Sequence, residues 1–261
     1  VTRGATACTK LGAMVEVIGF DCDDTLWESE STFVLTQRRV HDLLAPHVDP
    51  AVLAARLLDV QRANLDLYGY GAKAFTLSLI ETALELAGDR LSAGDVRGLL
   101  DAGKEILGHP VELLAGAREA VEAAVDSGLR VVLITKGDLF HQESKVARSG
   151  LGDLVDAVEV IAEKDEPTYR RVLRRHSVDP ARFVMVGNSL RSDVAPVLAL
   201  GGWAAHVPHE LTWALERVED ESVFAVEPRF RSMASLAEVR PWIDELIGQS
   251  GEDASTQRVP V

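Results

Sequence analysis

The chain has 261 residues, 47% of them hydrophobic, which is enough to bury a full core as one large domain or a domain with a sizeable insert. Its formal charge of −14 repels a polyphosphate backbone, so no nucleic acid is expected as a partner. Its dense basic stretch, Arg170, Arg171, Arg174 and Arg175, follows an acidic segment at helical spacing and reads as a solvated helix face.

Residues 1–13 lack the apolar core of a secretory signal and read, with Cys8 among them, as a disordered tail. Val15 to Phe20 is a short apolar run with strand character. The long interval after it holds four helix-like segments, Ser31 to Leu44, Pro50 to Leu67, Lys73 to Ala87 and Ala93 to Leu107. Asp49 before Pro50 supplies a cap and a first turn, Gly69, Tyr70 and Gly71 form a corner, and Gly88 and Gly108 act as stops. Residues 29–109 therefore read as a helical insert of about 80 residues.

Beyond it, apolar runs at Arg130 to Thr135, Val155 to Ile161, Arg182 to Val186 and Trp203 to Val207 alternate with helical stretches. That alternation predicts an α/β fold with a parallel sheet and crossover helices, its core made of residues 14–28 and 110–247. Residues 248–261, rich in Gly, Ser, Gln and acids, read as a second disordered tail. No apolar run approaches the roughly 18 residues of a membrane span, and Cys8 and Cys22 make no disulfide or zinc pattern. A cytoplasmic location without a membrane partner is expected; the sequence leaves the oligomeric state open.

Residues Phe20 to Trp27 read FDCDDTLW, with three carboxylates at the C-terminal end of the first strand. Acids this close repel, and a divalent cation would relieve them. Strand alternation sends Asp21 and Asp23 to one side, but a tight turn directly after the strand changes that equally well, so the pairing stays open. The second strand ends VVLITKGD, where a hydroxyl, Thr135, and a glycine turn opening a helix suit an anion. Taken alone, a Thr at a strand end is ordinarily a core or cap residue. Lys164 lies in AEKDEPTYRRVL, among acids that by default make it a surface ion pair. VGNSLRSDV follows the strand at Arg182 to Val186 and alone would read as a turn with an N-cap Asp.

Together these stretches resemble the four motifs of the haloacid dehalogenase (HAD) superfamily, in the family's order and each directly after an apolar run, covering Val15 to Asp193. Asp21, Asp23 and Thr25 match the first motif, Asp-x-Asp-x-Thr. The resemblance implies a Rossmann-like core with a C1-type helical cap and Mg2+ as cofactor. It makes Asp21 the nucleophile and a metal ligand, and Asp23 the general acid/base that also lends its backbone carbonyl to the metal. It gives Thr135 and the following backbone, Lys136 and Gly137, to the phosphate, Lys164 to holding nucleophile and phosphate charges together, and Asp193 to the metal.

Two positions depart from the common pattern. Lys136 stands where Asn is usual, and Asn188 where many relatives carry Asp; Asn188 can still orient a metal-bound water through its carbonyl. Asp23 must begin the reaction protonated, and its acidic neighbours are expected to raise its pKa. The resemblance further implies that the cap gates the site about hinges near Glu28 to Ser31 and His109 to Leu114. Asn64, Tyr68, Tyr70 and Lys73, around the YGYGAK corner, are the candidate readers of the leaving group; the alternative for the tyrosines is packing within the bundle.

The expected function is hydrolysis of a small-molecule phosphate monoester through an aspartyl phosphate. Dehalogenases of the family lack the second aspartate, and receiver domains lack both it and the insert. A phosphotransferase or mutase, and a HAD protein that binds a phosphate ligand or partner without turnover, stay as alternatives.

Overall fold

The computed structural model describes residues 15–248; the expected N-terminal tail, Cys8 and the C-terminal tail past Gly248 lie outside them. The elements are β1 (Val17–Phe20), α1 (Glu30–Leu44), α2 (Pro50–Tyr68), α3 (Ala72–Ala87), α4 (Ala93–Gly108), α5 (Ala117–Asp126), β2 (Arg130–Lys136), α6 (Leu139–Ser149), β3 (Ala157–Ile161), α7 (Glu166–Arg175), β4 (Phe183–Gly187), α8 (Ala195–Ala199), β5 (Trp203–His206), β6 (Phe230–Ser232) and α9 (Val239–Gly248). The sixth strand escaped the sequence reading because three residues, two of them exposed, carry no apolar pattern.

All neighbouring strands pair in parallel, in the order β3-β2-β1-β4-β5-β6. The strands are apolar without alternation because helices cover both faces. Ile18, Phe20, Leu133 and Val186 pack with α5 and α9 on one face. Val17, Ile134, Phe183 and Met185 pack with Tyr169, Val172 and Val197 on the other. The order reverses direction on either side of β1, so a crevice opens at the carboxyl ends of β1, β2 and β4.

The helices α1 to α4 carry an apolar core of their own, built on Leu44, Leu53, Leu57, Phe75, Leu79, Leu99 and Ile106. Their ends follow local chemistry. Asp49 accepts from the amides of Ala51 and Val52 ahead of α2, Ser92 and Asp95 form a capping box on α4, and Gly69 and Gly88 close α2 and α3. Gly108 differs from expectation in ending α4 rather than following it. The two connectors lie side by side: Glu28 N donates to Glu112 O at 3.0 Å, Leu114 N donates to Leu26 O at 3.0 Å, and Trp27 bridges Leu113. The arginines of α7 are satisfied locally, Arg170 by Glu166, Arg171 by Thr168 and Arg175 by Glu159.

Because the insert's core is separate from the two sheet faces, a cavity made in it should loosen the insert alone. Leu99→Ala is expected to cost about 2–5 kcal/mol and to raise hydrogen exchange across α1 to α4 while β1, β2 and β4 stay protected. Equal deprotection of the sheet strands would show instead that insert and core unfold as one unit.

Candidate active site

Beyond Phe20 the carbonyl of Cys22 accepts from the amides of Thr25, Leu26 and Trp27, winding the chain into a tight turn. Asp24 sits in the left-handed region at φ 61°, and its carboxylate accepts from the amides of Ser29 (2.8 Å) and Glu30 (3.0 Å). That caps α1, whose own N-cap residue Ser29 makes no side-chain bond. Asp21 and Asp23 both face a cavity of about 180 Å3 between the strand ends and the helical insert.

Asp21 is buried and accepts from the Thr25 hydroxyl at 2.8 Å on one oxygen and from the Lys164 ammonium on the other. The same ammonium, delivered by the turn between β3 and α7, donates to Asp193 at 2.6 Å. Burial pushes the Asp21 carboxyl up to about 7; Lys164 pulls it down, and repulsion from Asp193 and Asp23 adds to the rise. Burial works against the charge on Lys164, but Asp193 and Asp21 outweigh it and hold the ammonium protonated. Asp193 lies in a π-helical turn, Leu190–Val194, and takes a 3.0 Å bond from Ser189 N. Thr25 also joins Asn188, donating to its side-chain carbonyl at 3.3 Å and accepting from its amide at 3.0 Å.

Asp23 meets a different environment. Its carboxylate accepts from Trp27 Nε1 (2.7 Å), Gln142 Nε2 (2.8 Å) and Lys145 Nζ (2.5 Å). Burial raises its pKa, but the Lys145 charge and these donors more than offset that, so the group is held below the ordinary carboxylate range. The expectation that acidic neighbours raise it is corrected here. Lys145, Gln142 and Trp27 are the residues that sequence reading missed; the one available signal was the i, i+3 spacing of Gln142 and Lys145 on the helix that follows the glycine turn.

Thr135, buried at the end of β2, lines the cavity with Lys136 and Asp138. Gly137 adopts φ +133°, which an L side chain rarely tolerates. Lys136 is neither a free cation nor a solvated one. Its ammonium contacts Glu216 (2.5 Å), Ser192 (2.9 Å) and Glu163 (3.3 Å) and lies 4.2 Å from the centre of the Tyr70 ring. Tyr70 in turn donates to Glu163 at 2.5 Å and packs edge-on against Trp213. Asn64 and Tyr70 line the cavity. Tyr68 and Lys73 do not: Tyr68 ends α2 exposed, and Lys73 bonds at 2.9 Å to Asp138 at the cavity's edge.

The family model for haloacid dehalogenase-like hydrolases matches residues 15–201. A haloacid dehalogenase-like family hydrolase from Xanthomonas campestris is 44% identical, with a TM-score of 0.82, over 93% of this chain and 96% of that one. The chain belongs to the haloacid dehalogenase-like hydrolases. Two more distant structures share the fold. A predicted phosphoglycolate phosphatase from Haemophilus somnus has a TM-score of 0.58 at 14% identity, over 88% of this chain and 98% of that one. An L-2-haloacid dehalogenase from Xanthobacter autotrophicus, with chloropropionic acid covalently bound, has a TM-score of 0.61 at 17% identity over the same shares. Among curated proteins there is no match. Among the described residues no helix is long and apolar enough to cross a membrane.

The donor set of this HAD-like hydrolase fits a hard divalent cation. Asp21 and Asp193 both bond the Lys164 ammonium and line one cavity, and the Asn188 side-chain carbonyl is bonded to the Thr25 hydroxyl that also holds Asp21. A cation there would also relieve the raised Asp21 carboxyl. A second group, Asp24, Glu28 and His209, lies at the root of the insert. There the Asp24 carboxylate is already engaged by backbone amides, and His209 Nδ1 by the backbone of Leu211.

Gly187 holds Asp193 in place by having no side chain: a Cβ there would lie 2.2 Å from the Asp193 carboxylate. Gly187→Ala should therefore lower hydrolase activity at least about tenfold with an unchanged circular dichroism spectrum. Full activity in that variant would mean that the site tolerates a displaced Asp193.

Proposed function

We propose that this hydrolase is a Mg2+-dependent phosphatase of the cytoplasm, acting on a small-molecule phosphate monoester through an aspartyl phosphate on Asp21. The observation that carries this reading is the buried carboxylate of Asp21 and the half-buried one of Asp23, opening into one cavity from very different environments. Asp21, Asp193 and the carbonyl groups of Asp23 and Asn188 are the proposed holders of Mg2+. The ion, when bound, neutralises phosphate and nucleophile charge so that a carboxylate can approach an anion.

In the first half-reaction an Asp21 oxygen forms a bond to phosphorus as the bond to the ester oxygen breaks, and Asp23 delivers a proton to that departing oxygen. Thr25 keeps the other Asp21 oxygen aimed, Lys164 holds the nucleophile beside Asp193, and Thr135 with the Lys136–Gly137 backbone receives the phosphoryl oxygens. In the second half-reaction Asp23 takes a proton from water, water oxygen bonds to phosphorus, and the Asp21–phosphorus bond breaks to release phosphate. Trp27, Gln142 and Lys145 favour the ionised Asp23 that this second step uses. The proton needed for the first step must accordingly be loaded against Lys145, in the presence of substrate.

The insert serves in this reading as a cap over the cavity, moving about the paired connectors at Glu28 and Glu112 to admit water between the half-reactions. The acid at position 23 favours phosphoryl transfer over carbon–halogen cleavage, since the latter has no departing oxygen to protonate.

Hydrolysis of p-nitrophenyl phosphate tests the reading. Activity should vanish with chelator and fall at least about a thousandfold in Asp21→Asn, with the circular dichroism spectrum unchanged; residual wild-type rates in that variant would remove Asp21 as nucleophile. Asp193→Ala should raise the Mg2+ concentration for half-maximal activity about 10- to 100-fold. An unchanged Mg2+ titration would take Asp193 out of the metal site.

A further inference from the structure

The cavity has two unlike halves. Its floor, from the strand ends, holds three lysines, Lys136, Lys145 and Lys164, every one bonded to carboxylates. Its wall, from the insert, is lined by Phe33, Gln37, Gln61, Asn64, Leu65 and Phe75. None of the insert's Lys, Arg or His side chains lines it. Phe33 and Phe75 meet edge to face with centroids 5.3 Å apart, giving a rigid apolar surface. The Asn64 amide is fixed by bonds to Ser78 (3.2 Å) and Glu81 (2.7 Å). The side-chain amides of Gln37 and Gln61 have no hydrogen-bond partner among the described residues, although both are half-buried. The charged side chain that the insert does add to the lining is acidic, Glu30.

Recognition of a carboxylate or a second phosphate on the leaving group calls for a guanidinium, an ammonium or a cluster of free amides, because a desolvated anion without a countercharge is costly. The insert's donor-rich feature, the uncapped N-terminus of α3, does not serve the leaving group. A Cβ on Gly71 there would lie 3.6 Å from Asp138 N and 4.0 Å from Gly137 Cα, so this end of α3 adjoins the glycine turn proposed to receive the transferred phosphate. What the wall offers instead is two unspent carboxamides beside aromatic and aliphatic faces, a match for hydroxyls set on a hydrocarbon frame.

Resting on the phosphatase reading above, we propose that the substrate's leaving group is an uncharged polyhydroxylated alcohol, of sugar or polyol type, held by Gln37 and Gln61 against Phe33 and Phe75. Carboxylated esters and bisphosphates are discriminated against.

The test is kcat/KM of the Mg2+-loaded enzyme on two sets of monoesters. Glucose 6-phosphate and glycerol 1-phosphate form the neutral set; phosphoglycolate, 3-phosphoglycerate and fructose 1,6-bisphosphate form the charged set. The neutral set should lead by about tenfold or more, and Gln61→Arg should raise the ratio for phosphoglycolate over glycerol 1-phosphate by about tenfold. Equal or better turnover of any charged ester by the wild type overturns this inference, as does an unmoved ratio in Gln61→Arg. Hydrolysis of p-nitrophenyl phosphate separates the two failures. If it is present and dependent on Asp21, only the leaving-group assignment falls; if it is absent, the phosphatase reading falls with it.

Discussion

The structure turns on one buried ammonium. Lys164 stands between Asp21 and Asp193, and through it the turn after β3 is tied to the ends of β1 and β4. Each of the three groups would be costly to bury alone. Removing the lysine would leave two carboxylates facing each other in a dehydrated crevice, so the pair of ion pairs fixes three loops that share no sequence contact. The arrangement is also incomplete in charge. Asp21, Asp23, Asp193, Glu163 and Glu216 surround three lysines, and burial leaves Asp21 with a raised pKa despite its own cation. A divalent ion at this site would offset that excess of negative charge.

Asp21 and Asp23 are two residues apart, and the turn gives them opposite chemical characters. Asp21 faces inward to repulsive neighbours and one lysine, whereas Asp23 is encircled by Trp27, Gln142 and Lys145. Their pKa values are pushed in opposite directions, Asp21 up and Asp23 down. Asp24, the residue after Asp23, spends its carboxylate on the first turn of α1. The active-site turn is therefore hydrogen-bonded directly to the start of the insert.

The parts of this architecture that were legible in the sequence are those set by local chemistry. Apolar strands, Asp49–Pro50 and the glycine stops rest on backbone rules that hold within a few residues, and the strands β1 to β5 and the helices α1 to α4 begin or end within about two residues of their expected places. The motif carboxylates were legible because acids at strand ends need a reason to be there. The ring around Asp23 was not. Lys145 and Gln142 lie more than a hundred positions from it and look like ordinary exposed residues of an amphipathic helix. The fate of Lys136 was illegible for the same reason, since its partner Glu216 comes from the long segment after β5. Tyr68 and Lys73 looked equivalent to Asn64 and Tyr70 in the chain, but only Asn64 and Tyr70 line the cavity.

The same separation of local from assembled features explains how the molecule divides its labour. The floor of the cavity is crowded with ionic groups whose positions are mutually determined, so a substitution there disturbs several partners together. The wall comes from four helices with an independent core, and Gln37 and Gln61 carry no structural obligations to other described residues. Residues without partners can change identity at little cost in stability. On the proposed phosphatase reading, phosphoryl chemistry would be fixed in the part of the structure that cannot vary without loss, and leaving-group recognition would sit in the part that can.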